Sequence, residues 1–214
     1  MTRYVVPAPS AEELATLSQL GVSRESREKI TAYLELLFQW QAKTNLVAPA
    51  TLPEVWTRQV IDSLQILPYL TGAEGDVADL GSGGGFPGII LAITSGRHVE
   101  LFEASQKKGA FLKEALRVSG GRGNVTVGRL ESLEKPAAGR YGYVVARALA
   151  PLPQLLDYAA PFLSAGASAI FLKGKGIDLE LTESAKSWRI KADKHQSLTD
   201  SEAVLLVVKE ASRV

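Results

Sequence analysis

From residue 77 onward the chain alternates between two kinds of apolar pattern, and that alternation is its strongest constraint on fold. Short apolar runs, VADL (77–80), HVELFE (98–103), NVTVG (124–128), YGYVVARA (141–148) and SAIFLKG (168–174), read as strands. Segments with three- and four-residue apolar spacing read as helices: GIILAITS (88–95), SQKKGAFLKEALRVS (105–119), PLPQLLDYAAPFL (151–163) and IDLELTESAKSW (177–188). Strands joined through helices must run parallel, in a sheet covered on both faces. The last two runs, RIKADKHQSL (189–198) and EAVLLVVK (202–209), have too short a connection for a crossover and are expected to pair antiparallel at one edge. The expected class is α/β, a doubly wound and mostly parallel sheet with an antiparallel C-terminal edge.

The first third reads as helical. Ser23 is placed to cap a helix in which Ile30, Tyr33, Leu34, Leu37 and Trp40 form one apolar stripe, interrupted near Asn45 and Pro49. A second helix is expected from Pro53 towards Leu67, with Asp62 placed to pair with Arg58 one turn earlier. With 214 residues, 46% of them hydrophobic, one sizeable core is affordable. The expected organisation is one domain over 1–214, a helical cap (1–72) in front of an α/β core (73–214). No internal repeat is visible.

The stretch VADLGSGGGFPG (77–88) places small residues where the first strand turns into its helix. In a doubly wound sheet that turn lies at the ligand crevice. Gly81, Gly83 and Gly85 allow a sharp bend and bring bare amides against a ligand. Glu103, at the end of the next strand, is placed to accept hydrogen bonds from both hydroxyls of a ribose. The turn does not suit a dinucleotide. Its third glycine comes one residue too early for G-x-G-x-x-G, and Phe86-Pro87 crowds the place of a pyrophosphate. Asp79 adds negative charge that favours a cationic ligand. S-adenosylmethionine, with a sulfonium, an ammonium and no phosphate, meets these conditions better than NAD.

Charge and composition narrow the chemistry further. The net charge is only +1, but Arg97 to Arg147 holds ten Lys or Arg against five Glu, enough for a local basic face. There is no cysteine, which excludes disulfides, zinc-thiolate sites and covalent thiol catalysis. The two histidines, His98 and His195, lie outside any motif. No apolar run is long enough to span a bilayer and the start of the chain lacks a leader's apolar core, so a cytoplasmic protein without a membrane partner is expected.

The residues DLGSGGGFPGIILAI, the acidic strand end before SQKKGAFL, VGRLESL, YVVARALAPL and IFLKGKG together resemble the RsmG (GidB) family, as does the lead-in KTNLVAPATLPEVWTRQVIDSLQILPYL. The resemblance runs from about residue 25 to the C-terminus. It implies a class I S-adenosylmethionine-dependent methyltransferase (Rossmann-like) fold. The implied reaction is methyl transfer to N7 of a guanine in 16S rRNA, guanine 527 of the 530 loop, leaving S-adenosylhomocysteine. It further implies that Asp79, Gly81, Gly83 and Phe86 form the cofactor turn, Glu103 holds the ribose, Leu130 and Glu131 line the adenine pocket, and Arg147 lies between cofactor and RNA. Arg147, Lys173 and Asn45 are the residues expected at the reacting base, Arg147 and Lys173 to bind the phosphates around it. Arg58, Lys107, Lys108 and Arg129, with Arg117 and Arg122, are the candidates for RNA phosphates. Gln59 stands where the family commonly has His, which leaves that position a role in shape or hydrogen bonding.

Guanine N7 carries an in-plane lone pair and no proton, so its methylation needs no general base, in keeping with the scarcity of histidine. The base must be single-stranded or flipped outward, because the narrow A-form major groove hides N7. The partner that the resemblance implies is 16S rRNA or the small ribosomal subunit. A monomer is expected, and no metal. The alternatives are a class I methyltransferase with a protein or small-molecule substrate, which would not need the basic stretch, and a non-catalytic ribosome-assembly factor. Intact Gly81, Gly83 and Glu103 argue against the latter. An NAD oxidoreductase is disfavoured by the glycine spacing.

Overall fold

A computed structural model describes residues 5–214 and places the alternating runs in a seven-stranded sheet of order β3-β2-β1-β4-β5-β7-β6. Residues 1–4, part of the segment read as lacking a leader, lie outside the described residues. The strands are β1 (Asp76–Leu80), β2 (Val99–Glu103), β3 (Gly123–Val127), β4 (Tyr141–Arg147), β5 (Ser168–Lys173), β6 (Trp188–Gln196) and β7 (Val204–Arg213). The first five are parallel; β7 runs antiparallel between β5 and β6. The chain winds outward from β1 through β2 to β3 and then returns to place β4 on the other side of β1. The order therefore reverses between β1 and β4, and a crevice opens there beyond the carboxyl ends of the strands.

Strand residues alternate between two apolar layers. Val77, Leu101, Tyr143, Val145 and Ile170 face one way, with α1 (Ala11–Gln19), α2 (Arg24–Gln41), α4 (Gly88–Thr94) and α5 (Gln106–Ser119). Ala78, Phe102, Val144, Ala146 and Phe171 face the other, with α6 (Leu152–Ser164) and α7 (Ile177–Ser184). This period-two alternation within continuously apolar runs is what a sheet buried on both faces requires. Ser23 caps α2 as its position predicts, accepting from the Ser26 amide at 3.0 Å. The sequence reading did not single out α1, although Ser10 and Glu13 form a reciprocal capping box at its start.

Two sequence expectations change. The helix expected from Pro53 towards Leu67 is a chain of short turns: a 3₁₀ turn (Pro49–Glu54), a π-helical turn (Trp56–Ile61), α3 (Asp62–Leu64) and another 3₁₀ turn (Leu67–Tyr69). In the wide turn the Asp62 amide bonds to the carbonyls of Thr57 and Gln59. α7 ends at Ser184, not Trp188, because Trp188 is buried as the first residue of β6, with the Arg213 guanidinium 4.4 Å above its ring. Trp40, read as part of the apolar stripe, and Trp56 are packing residues. Trp40 lies against Phe111, and the buried Trp56 donates its indole N–H to the Pro7 carbonyl.

Candidate functional site

A cleft of about 850 Å³ lies over the switch point, and each strand end that the sequence singled out contributes to it. Gly81, Gly83 and Phe86 come from the turn after β1, Glu103 from β2, Leu130 and Glu131 from the loop after β3, Arg147 from β4 and Lys173 from β5. That volume is in the range of a small-molecule site.

The glycine turn is held from two directions. Gly83 has φ of 55°, a conformation few other residues adopt, and it aims its amide at Glu103 Oε2, 2.8 Å away. Glu103 Oε1 accepts the Ser105 amide, also at 2.8 Å. Glu103 is therefore a buttress of the turn as well as a wall of the cleft, and its oxygens keep lone pairs to accept more. On the other side the Tyr33 hydroxyl donates to the Gly84 carbonyl at 2.5 Å, while the Leu46 carbonyl lies only 2.8 Å from where a Cβ on Gly84 would sit. Burial pushes the Tyr33 hydroxyl well above its ordinary pKa, so it stays protonated and remains a donor. What comes too close to Gly84 for a side chain is the protein's own N-terminal cap. Sequence spacing gave no sign of that contact, since Tyr33 reads as one more apolar-stripe residue.

Asp79 behaves differently from expectation. It is not among the cleft-lining residues; it is buried beneath the turn against Gly88. Neither carboxyl oxygen has a well-aligned hydrogen bond, although Ser82 and Gly88 approach it. Desolvation pushes its pKa up to about 7, against smaller opposing pulls from Ser82, Gly88 and Arg147. A group that is half neutral near pH 7 does not supply the fixed negative charge expected for a cationic ligand. In the cleft itself the acidic lining residues are Glu103, Glu131, Asp62 and Asp200. Glu131 is exposed, and its carboxyl is held below the usual range by its own backbone amide and by the hydroxyl of Tyr158, a further lining residue from α6.

Arg147 and Lys173 lie deep in the cleft and are already paired. Arg147 Nη1 donates to the Arg58 carbonyl at 2.9 Å and to Asp62 Oδ2 at 3.0 Å; Nη2 donates to Gln59 Oε1; the guanidinium lies 5.5 Å from the centre of the Phe86 ring. The expected Arg58–Asp62 pair is absent: Asp62 is taken by Arg147, and Arg58 reaches Asp200 at 3.1 Å. Lys173 Nζ pairs with Glu180 at 2.6 Å and donates to the Ala150 carbonyl. With side chains 18% and 10% exposed, Arg147 and Lys173 are poorly placed to clamp phosphates around a base, the role the sequence reading had given them. Ala148, next in the chain, has φ of 50° and lines the cleft.

The remaining candidates divide. Lys108, Arg129 and Arg58 line the cleft. Asn45 does not: it is exposed, and its Oδ1 is 3.5 Å from Gln41 Nε2. Lys107 is also outside, its Nζ donating to the Lys43 carbonyl. The basic stretch is not one face. Arg97, Arg122 and Arg140 precede β2, β3 and β4 at the opposite end of the sheet, where Arg97 bonds the carbonyls of Leu70, Ala73 and Gly75. Arg117 is paired with Glu114 within α5. Neither His98 nor His195 lines the cleft. Among the described residues no acidic or histidine cluster is placed to hold a metal, and no helix is long and apolar enough to cross a membrane.

The tip between β6 and β7 was not anticipated at all. Ser197, Thr199 and Asp200 line the cleft, and Thr199 donates to Asp62 Oδ1 at 2.7 Å. Only the placement of β7 inside the sheet brings this distant segment to the site.

Comparison with known proteins agrees with this geometry. The family model described as rRNA small subunit methyltransferase G matches residues 26–207. A relative with the same name from Rhodopseudomonas palustris (strain BisB18) is 49% identical over 197 residues, covering 90% of this chain and 84% of its own. Another, from Bradyrhizobium sp. (strain ORS 278), is 46% identical over 203 residues, covering 93% and 91%. Among solved structures, cofactor-bound Rv0187 from MTB superposes with a TM-score of 0.60 at 17% identity, covering 95% of this chain and 98% of that one. That likeness establishes the fold.

Proposed function

The chain belongs to the rRNA small subunit methyltransferase G family, and on that premise we propose how its cleft carries out the reaction. The enzyme transfers a methyl group from S-adenosylmethionine to N7 of a guanine in 16S rRNA and releases S-adenosylhomocysteine. The observation that carries this reading is the Glu103 carboxylate, fixed by two amides at the switch-point crevice with lone pairs left over for a ribose diol. Bound there, S-adenosylmethionine supplies an electrophilic methyl group on a sulfonium.

The chain's own residues bind and orient. Gly81, Gly83 and Phe86 form the wall against the amino-acid end, with Arg147 beside Phe86 between cofactor and RNA; Leu130 and Glu131 flank the adenine. No histidine lines the cleft, which suits an acceptor nitrogen that has no proton to lose. Catalysis then rests on alignment, an effect worth up to about 7–11 kcal/mol. Arg58, Lys108 and Arg129 at the rim meet RNA phosphates. The cap and the sheet core work as one unit in this reading, because Tyr33 and Leu46 hold the turn that the core presents. The enzyme acts as a cytoplasmic monomer, consistent with exposed large apolar residues that are scattered singly (Val5, Leu179, Leu198, Val214), a state that light scattering reads directly.

Mass mapping of methylated guanines in rRNA from cells lacking this protein tests the function. The expected result is loss of one N7-methylguanine, at position 527, restored by the gene. An unchanged methylation map removes the reading.

A further inference from the structure

We propose that the wide turn Trp56–Ile61 is a socket for the Arg147 guanidinium, and that Gln59 is a positioning residue which sets this arginine over the cofactor turn. The inference rests on the methyltransferase reading of the cleft and goes beyond it.

The backbone makes the first half of the socket. In an α-helix the Asp62 amide would bond to the carbonyl four residues back, which belongs to Arg58. Here that amide bonds instead to the carbonyls of Thr57 and Gln59, so the Arg58 carbonyl is left to accept Arg147 Nη1 at 2.9 Å. A π-helical turn inside a cleft is a recurrent mark of a functional position, and here the widened turn has an identifiable use.

Side chains complete it. Gln59 is 5% exposed and its amide is oriented by a directional chain: Oε1 accepts from Arg147 Nη2, Nε2 donates to Thr51 Oγ1 at 3.0 Å, and the Thr51 hydroxyl donates to the Ala48 carbonyl at 2.8 Å. Asp62 supplies the charge, with Oδ2 on Arg147 and Oδ1 accepting from Thr199 and Gln65. Three acceptors from residues 58–62, one backbone carbonyl and two side chains, and the Phe86 ring at 5.5 Å, fix the plane of the guanidinium. Gln59 lines the cleft, but its amide oxygen is taken by Arg147, and it is through Arg147 that it acts.

Calorimetric titration with S-adenosylhomocysteine tests the socket on the full chain. Gln59→Leu removes the acceptor and is expected to weaken binding about 10- to 100-fold, the range for a hydrogen bond to a charged group. Gln59→Glu, which keeps an acceptor, is expected to stay within about threefold of wild type. In an Arg147→Met background, Gln59→Leu should add nothing further. Gln59→His gives a readout that mere packing would not move. A neutral imidazole can accept from Arg147 and a protonated one cannot, so affinity relative to wild type at the same pH should fall about tenfold as pH drops through about 6.5.

Unchanged binding in Gln59→Leu, an equal loss in the Arg147→Met background, or a pH-independent ratio for Gln59→His would each overturn the proposal. If Gln59→Leu does not fold, the Gln59→His ratio decides. Methyl transfer by the wild type to small ribosomal subunits is measured alongside. Its failure would remove the RNA reading while the cofactor titration still judged the socket.

Discussion

Replacing Asp79 with Asn should make the protein more stable at neutral pH, by an amount that the buried carboxyl determines. The wild-type carboxyl ionises near 3.8 in an unfolded chain and at about 7 in the fold, because it is fully buried without a well-aligned partner. Between those values the folded protein holds a proton that the unfolded chain has released. Stability from this group is therefore complete below about pH 4 and is lost as pH rises through 7. The slope approaches about 1.4 kcal/mol per pH unit, and the span sums to about 4 kcal/mol. Asn has nearly the same shape and no charge to desolvate. Urea unfolding of both proteins from pH 4 to 8 gives the difference directly. Other carboxyls, such as those of Glu13 and Asp200, which hydrogen bonds hold low, titrate in both proteins and cancel. The expected result is a stability difference that moves by about 4 kcal/mol in favour of Asn across that range. A difference flat within about 1 kcal/mol would refute the assignment of a desolvated carboxyl.

Further outcomes follow from the site's construction. Tyr33→Phe leaves the buried Gly84 carbonyl without its donor and should cost about 1–3 kcal/mol in urea unfolding, together with weaker cofactor binding because the turn loses its support. Glu103→Ala removes the acceptor of the Gly83 amide and the proposed ribose partner together, and calorimetry should show at least about a 100-fold loss of S-adenosylhomocysteine affinity. RNA binding measured against salt should weaken steeply, and Arg129→Ala should reduce the slope of log K on log salt by about 0.7–0.9; a binding constant flat with salt would contradict the rim assignment.

What the sequence disclosed and what it hid follow from the range of the interactions. Strand and helix identity in the α/β core is written in local periodicity, so β1 to β5 and their helices stand close to where the apolar runs place them. The switch-point crevice follows from that order, and with it Gly83, Glu103 and Arg147 at the strand ends. Contacts between distant segments have no such signature. Tyr33 on Gly84, Asp62 on Arg147 and Thr199 on Asp62 join the cap, the core and the hairpin tip, and each residue taken locally reads as something plainer. Burial misleads in the same way: Asp79 reads as a charge in the pocket until packing shows it lies beneath the turn. The irregular turns from Pro49 to Tyr69 look like one helix because their apolar spacing satisfies a helix, whereas the wide turn depends on where the Asp62 amide bonds.

The most direct measurement is a crystal structure of the protein with S-adenosylhomocysteine. The account predicts both ribose hydroxyls within hydrogen-bonding distance of the Glu103 carboxylate, the amino-acid end against Gly81 and Phe86, and the adenine beside Leu130. Density for the nucleoside anywhere else, or Glu103 turned away from the sugar, would contradict it.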